Sequence, residues 1–89
     1  MTTFTKDPSA VLDYAFDWSE WLATGETISS HVITVDTGLT KDSDSEALGV
    51  VTVWLSGGTA GTAYKVACKI TTSAGRTDER TMWIKVADR

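Results

Sequence analysis

Two carboxylates three residues apart, Asp17 and Glu20, alternate with two indoles, Trp18 and Trp21. Paired acids beside aromatic platforms are the pattern of a glycoside hydrolase, in which one carboxyl protonates the leaving oxygen and the other attacks or activates water. That chemistry needs a cleft that excludes water and raises one carboxyl pKa, and a chain of 89 residues has little mass to build one. Asp42, Asp44 and Glu46 stand at alternate positions and offer oxygens to Ca²⁺, but a calcium loop also needs a glycine for its sharp turn and a further bidentate acid, and neither follows. His31, the one histidine, has no visible partner for a base or ligand role and reads as a surface residue. Cys68, the one cysteine, forms neither an internal disulfide nor a thiolate cluster, and reads as a small buried hydrophobe. Ser56 to Thr62 is glycine-rich without the Gly-Lys-Ser/Thr ending of a phosphate loop. These residues imply no catalytic centre, no cofactor and no metal, and the chain reads as a non-enzyme.

The elements that carry them are strands. Tyr64, Val66, Cys68 and Ile70 point to one side of a run, and Lys65, Ala67, Lys69 and Thr71 to the other, the period of a half-buried strand. Val11 to Trp18 repeats the pattern, with Leu12, Tyr14, Phe16 and Trp18 on the apolar side. Ser19 to Ala23 continues less regularly, as a short helical turn or a bend. Thr27 to Val35 is β-branched but mixed in parity, which a bulge near Ser29 and Ser30 reconciles. Leu39 and Thr40 begin a short strand, and Lys41 to Glu46 reads as a solvated loop. Ala47 to Leu55 turns Val51, Val53 and Leu55 inward and Trp54 outward. Thr77 to Val86 turns Met82, Ile84 and Val86 inward, with Trp83 and Lys85 outward.

About seven short strands with turns every eight to twelve residues indicate an all-β fold, an antiparallel immunoglobulin/fibronectin-like β-sandwich. Tyr64, just after Gly61, stands where such sandwiches place a tyrosine whose hydroxyl bonds to backbone upstream. Residues 1–10 read as a flexible N-terminal arm and residues 11–89 as a single immunoglobulin-like domain. The apolar fraction of 42% with four tryptophans suffices for one core. No stretch is apolar enough to span a membrane, and Met1 to Asp7 lacks the features of a signal peptide, so synthesis in a cytoplasm is expected.

The net charge of −4 disfavours nucleic acid as a partner. Its distribution is uneven: residues 1–46 hold nine acids and two bases, residues 47–89 three acids and six bases. If the halves occupy different faces, copies attract one another head to tail.

The run Asp7-Pro8-Ser9-Ala10-Val11-Leu12-Asp13-Tyr14-Ala15-Phe16-Asp17-Trp18-Ser19-Glu20-Trp21-Leu22 resembles the opening of small virion proteins of tailed bacteriophages, a group described as phage fibre–tail adaptor or Ig-like structural proteins. Asp42-Ser43-Asp44-Ser45, Val53-Trp54-Leu55-Ser56-Gly57-Gly58-Thr59-Ala60-Gly61-Thr62 and Ile70-Thr71-Thr72-Ser73-Ala74-Gly75-Arg76-Thr77-Asp78-Glu79-Arg80 are similar to the same group in the same order. The resemblance implies a structural component of the virion, made in the host bacterial cytoplasm. Its implied partners are other phage virion proteins (connector, tail or capsid), and it implies a homo-oligomer in the assembled particle. A capsid decoration protein and a carbohydrate-binding host-attachment module are the alternatives. The candidate protein interface is one aromatic, basic face made of Trp54, Trp83, Lys65, Lys69 and Lys85, together with Trp21.

Overall fold

Alternation of apolar and polar residues builds the strands, and pairing between distant parts of the chain decides which sheet each joins. A computed structural model describes residues 2–88. The strands are β1 (Thr2–Lys6), β2 (Leu12–Asp17), β3 (Ile28–Val35), β4 (Leu39–Ala47), β5 (Val50–Gly57), β6 (Ala63–Thr72) and β7 (Thr77–Val86), and no described residue is helical. They form two sheets, ordered β1-β7-β6-β3 and β2-β5-β4. The fold is the expected all-β sandwich of seven strands. Every pair is antiparallel except β1 with β7, which runs parallel and makes the four-stranded sheet mixed.

The core is the set the alternation points to. Tyr14, Phe16 and Trp18 from the β2 run, Val51, Val53 and Leu55 from β5, Tyr64, Val66, Cys68 and Ile70 from β6, and Met82, Ile84 and Val86 from β7 are all buried in one cluster. Burial pushes the Cys68 thiol up, so it stays protonated and inert. The bulge expected in the β3 run falls between Ile28 and Ser30. It lets Ile28 face the core together with Ile33 and Val35, while Val32 points to solvent.

Four features depart from the sequence reading. The first is the expected arm, of which Met1 lies outside the described residues. Thr2–Lys6 is a strand, in register with β7 from Thr2 opposite Met82 to Lys6 opposite Val86. Phe4 packs on Tyr14 of the other sheet with ring centroids 5.0 Å apart. The Lys6 ammonium is wholly buried and donates to the carbonyls of Asp7 at 2.9 Å and Gly57 at 2.8 Å. A buried cation persists only where oxygens replace its water, and those two carbonyls do so. Four polar residues around one phenylalanine are too short a run to mark a strand by themselves, and what orders them is pairing with the opposite end of the chain.

Second, Lys41 to Glu46 is part of the nine-residue strand β4, not a loop. As the outer strand of its sheet, β4 needs hydrogen bonds from β5 alone and no apolar side of its own, and its charges discourage further strand addition.

Third, His31 turns inward at the rim rather than outward. Its Nε2 lies 2.7 Å from Asp44 Oδ1, and Lys41 reaches the other oxygen of the same carboxylate. Lys41 and His31 together hold the Asp44 carboxyl below its usual range. This bridge joins β3 to β4, the edge strands of the two sheets, and closes one open side of the sandwich. Fourth, the outward residues are divided between two faces.

At one end of the sandwich the tyrosine corner is present. The Tyr64 hydroxyl accepts the Thr59 N–H at 3.0 Å. Gly58, at φ 94°, lies so close that a Cβ there would stand 2.6 Å from a methyl carbon of Val86.

Candidate functional site

The outward tryptophans lie on opposite faces of the sandwich. Trp83 of β7 is half-buried on the outer face of the four-stranded sheet, directly across from Lys65 of β6 on one side and Thr3 of β1 on the other. Lys69 and Lys85 have the same parity and are exposed. Lys69 has Glu79 in register across β7. Trp54 of β5 is 42% exposed on the outer face of the three-stranded sheet, between Asp13 of β2 and Ser43 of β4. Asp42 joins this face, accepting a hydrogen bond from Ser56 at 3.0 Å. The expected single face of Trp54, Trp83 and the three lysines is therefore two faces of opposite charge. Strand parity reports inward or outward, and outward means opposite directions for the two layers of a sandwich.

Trp21 is at neither face. It lies on the turn after β2, at the end of the molecule, where two arginines of the β6–β7 hairpin and its following strand cover two indoles. The Arg76 guanidinium lies 4.1 Å over the Trp21 ring and that of Arg80 4.2 Å over Trp18. The indoles meet edge to face with centroids 5.4 Å apart. Arg80 also donates to the Asp17 carbonyl at 2.6 Å, and Arg76 to that of Trp21 at 3.3 Å. Asp17-Trp18-Ser19-Glu20-Trp21 and Gly75-Arg76-Thr77-Asp78-Glu79-Arg80, far apart in sequence, are two halves of one cap. They are brought together by the stacking of the two sheets, with β2 in one and β7 in the other.

Glu26 is the polar centre of that cap. Its carboxylate accepts from the Ala23 N–H at 2.9 Å, the Thr72 hydroxyl at 2.5 Å and Arg76 Nε at 2.9 Å, and from a terminal nitrogen of Arg76. Donation from Arg76 first, then from Thr72 and Ala23, lowers its pKa from the ordinary 4.5 to about 2. Because the folded value lies below the unfolded one, this stabilisation is complete above pH 4.5 and is lost as pH falls toward about 2. Thermal melts from neutral pH down to about pH 2 should show a decline across that window, and Glu26→Gln should flatten it while lowering stability at neutral pH. An unchanged pH profile in the variant would show that Glu26 does not carry the linkage.

The carboxylates with apparent catalytic spacing have other work. Asp17 is exposed and accepts from the Ser19 N–H at 2.9 Å and its hydroxyl at 2.5 Å, which holds the carboxyl below its usual range. A glycosidic acid needs the reverse shift. Glu20 is exposed on the turn. An open groove of about 630 Å³ lies between the segment after β2 and the β4–β5 hairpin, with Leu22, Ala23, Glu46 and Leu48 among its walls and Glu20 outside them. Among the described residues no three histidine, cysteine, aspartate or glutamate side chains are placed to share a metal.

Leu48 escapes sequence reasoning. It is 96% exposed at φ 52° in the two-residue turn between β4 and β5, followed by Gly49 at φ 84°. Such turns favour asparagine before glycine, so a leucine there is the signal that could have marked it. Val11, 56% exposed before Asp13, and Val32, 60% exposed beside Lys69, are likewise apolar residues left on the two faces.

No curated protein matches the chain in sequence. A family profile does, over the same segments that build the paired strands and the arginine–tryptophan cap. The chain belongs to the family described as podophage GP4 fiber-tail adaptor protein gp77, whose profile matches residues 6–85.

Proposed function

We propose that the protein joins other proteins of a podophage tail as a fibre–tail adaptor, by docking its two tryptophan-bearing faces on neighbouring virion proteins. The observation that carries this reading is the placement of Trp54 and Trp83 outward on opposed faces, each beside a charge of opposite sign. Outward indoles are the residue type enriched at interface anchors, and the charges beside them suit the polar rim that surrounds such anchors. Two such faces suit a part that connects. The strand orders β2-β5-β4 and β3-β6-β7 support an immunoglobulin-like identity for the sandwich, with its first strand moved to the second sheet. Family membership favours the tail over the capsid surface. Synthesis in the host bacterial cytoplasm followed by incorporation in several copies completes the proposal.

A sugar-binding module finds less support. Trp54 and Trp83 face away from each other, and Arg76 already covers one face of the Trp21 ring. The three indoles share no platform.

The test is occupancy. Particles assembled with Trp54→Ala or Trp83→Ala should carry several-fold fewer copies of the protein, counted by mass spectrometry of purified virions. Full occupancy with both tryptophans replaced would sink the interface reading.

A further inference from the structure

We propose that the neighbour on these two faces is a second copy of this chain, stacked front to back, so that the Trp54 face of one copy seats on the Trp83 face of the next. The inference rests on the reading of the two faces as interfaces and adds what occupies them.

The faces are built to one plan with opposite charges. Across the ladder, Asp13 stands directly opposite Trp54, and Lys65 directly opposite Trp83. An exposed valine accompanies each: Val11, of the same parity as Asp13, and Val32, in register with Lys69. Asp42 adds a second acid to the Trp54 face, and Lys85 a second base beside Trp83. The Glu79 opposite Lys69 is the one acid on the basic sheet surface among the described outward positions of β6 and β7. Like faces would bring Lys65 to lysine or Asp13 to aspartate, and like charges directly opposed oppose association. Unlike faces bring Asp13 and Asp42 to Lys65 and Lys85, with indole and valine surface between them.

Size is consistent with a single neighbour per face. The molecule measures 42 × 20 × 20 Å, so a whole sheet face matches the roughly 800 Å² that one partner contributes to a standard interface. Because the two patches lie on opposed faces of the same copy, the contact is heterologous. It propagates into a ring where the rotation between copies closes, and into a filament where it does not. The Leu48 end then stays clear of the stack and free for a different protein.

Sedimentation of the purified full chain tests this directly. The wild type should gain mass with concentration from micromolar to millimolar and lose it as salt is raised, because part of the attraction is screened. Trp54→Ala or Trp83→Ala alone should weaken association by about 10-fold or more. An equimolar mixture of the two should form dimers and nothing larger, since only one intact pair of faces survives between them. Dimers of either variant alone as tight as those of the mixture would overturn the front-to-back geometry. Lys65→Glu and Asp13→Lys, at exposed positions that leave the core untouched, give a second readout: each alone should be monomeric, and mixing them should restore assemblies beyond the dimer. Failure of that mixture to associate would count against the pairing of these charges and overturn the proposal. A wild type that stays monomeric at every concentration, beside particles that lose both tryptophan variants, would overturn self-stacking and leave the interface reading in place. Particles that keep both variants would overturn the interface reading itself.

Discussion

Trp18→Ala should lower the stability of the isolated domain by about 4 kcal/mol, the upper range for removing a large aromatic from a core. Trp18 is wholly buried, and its ring is the floor on which Arg80 lies and the edge against which Trp21 packs. Its loss leaves a cavity and frees the cation that ties β7 to the Asp17 carbonyl. Domains of this size have total stabilities of about 5–15 kcal/mol, so a loss of this size should lower the melting temperature by roughly 20 °C. Trp54→Ala is the comparison within the same protein. Its indole is 42% exposed, and its removal should cost about 1 kcal/mol or less. Chemical denaturation of the two variants separates their roles. A Trp54 variant as unstable as the Trp18 variant would show that Trp54 belongs to the fold and not to a docking face.

Gly58→Ala should cost about 3 kcal/mol from two sources: a left-handed φ that L-residues adopt at a cost of about 1–2 kcal/mol, and overpacking of about 1–3 kcal/mol. The added carbon would meet Val86 at 2.6 Å and lies 3.4 Å from both Leu39 and Tyr64. The nearest atom is a methyl of a buried strand residue, so relief requires moving β7 or the Tyr64 corner. Gly61→Ala separates the two sources. Gly61 has nearly the same φ, 90°, but nothing within 4 Å of its would-be Cβ, so it should show the backbone cost alone. Denaturation midpoints should therefore fall further for Gly58→Ala, and Val86→Ala in the Gly58→Ala background should cost less than Val86→Ala in the wild type. Equal losses at the two glycines would show that the approach to Val86 relaxes without cost.

The cap also changes what Gly75-Arg76-Thr77-Asp78-Glu79-Arg80 and Asp17-Trp18-Ser19-Glu20-Trp21 mean. They are the most distinctive segments of the chain, and on sequence alone the second invites a catalytic reading. In the structure their chemistry is mutual. Arginine planes cover indoles, one carboxylate gathers four donors, and the aspartate that resembles a catalytic acid is bonded to the serine two residues on. They hold one end of the sandwich together, while the candidate docking residues lie on less distinctive positions along the sheet faces.

The sequence by itself determined β2, β5, β6 and β7 as core strands and the direction of their large apolar side chains, because a period of two is written locally and burial follows it. Tyr64, Val66, Cys68 and Ile70 are buried, as that alternation requires, and the Tyr64 hydroxyl makes its corner bond. Its motifs also pointed to the family. What it could not carry were facts about pairs of distant segments. β1 exists because the last strand offers it hydrogen bonds, and β4 because β5 does, so neither needs an apolar period of its own. His31 turns inward to an aspartate on the other sheet, a partner set by how the sheets stack. Trp54 and Trp83 were both legible as outward, yet only the assignment of β5 to one sheet and β7 to the other placed them on opposed faces with opposite charges. Side-chain parity is a property of one strand, whereas a face is a property of a sheet, and sheet membership is decided by tertiary pairing.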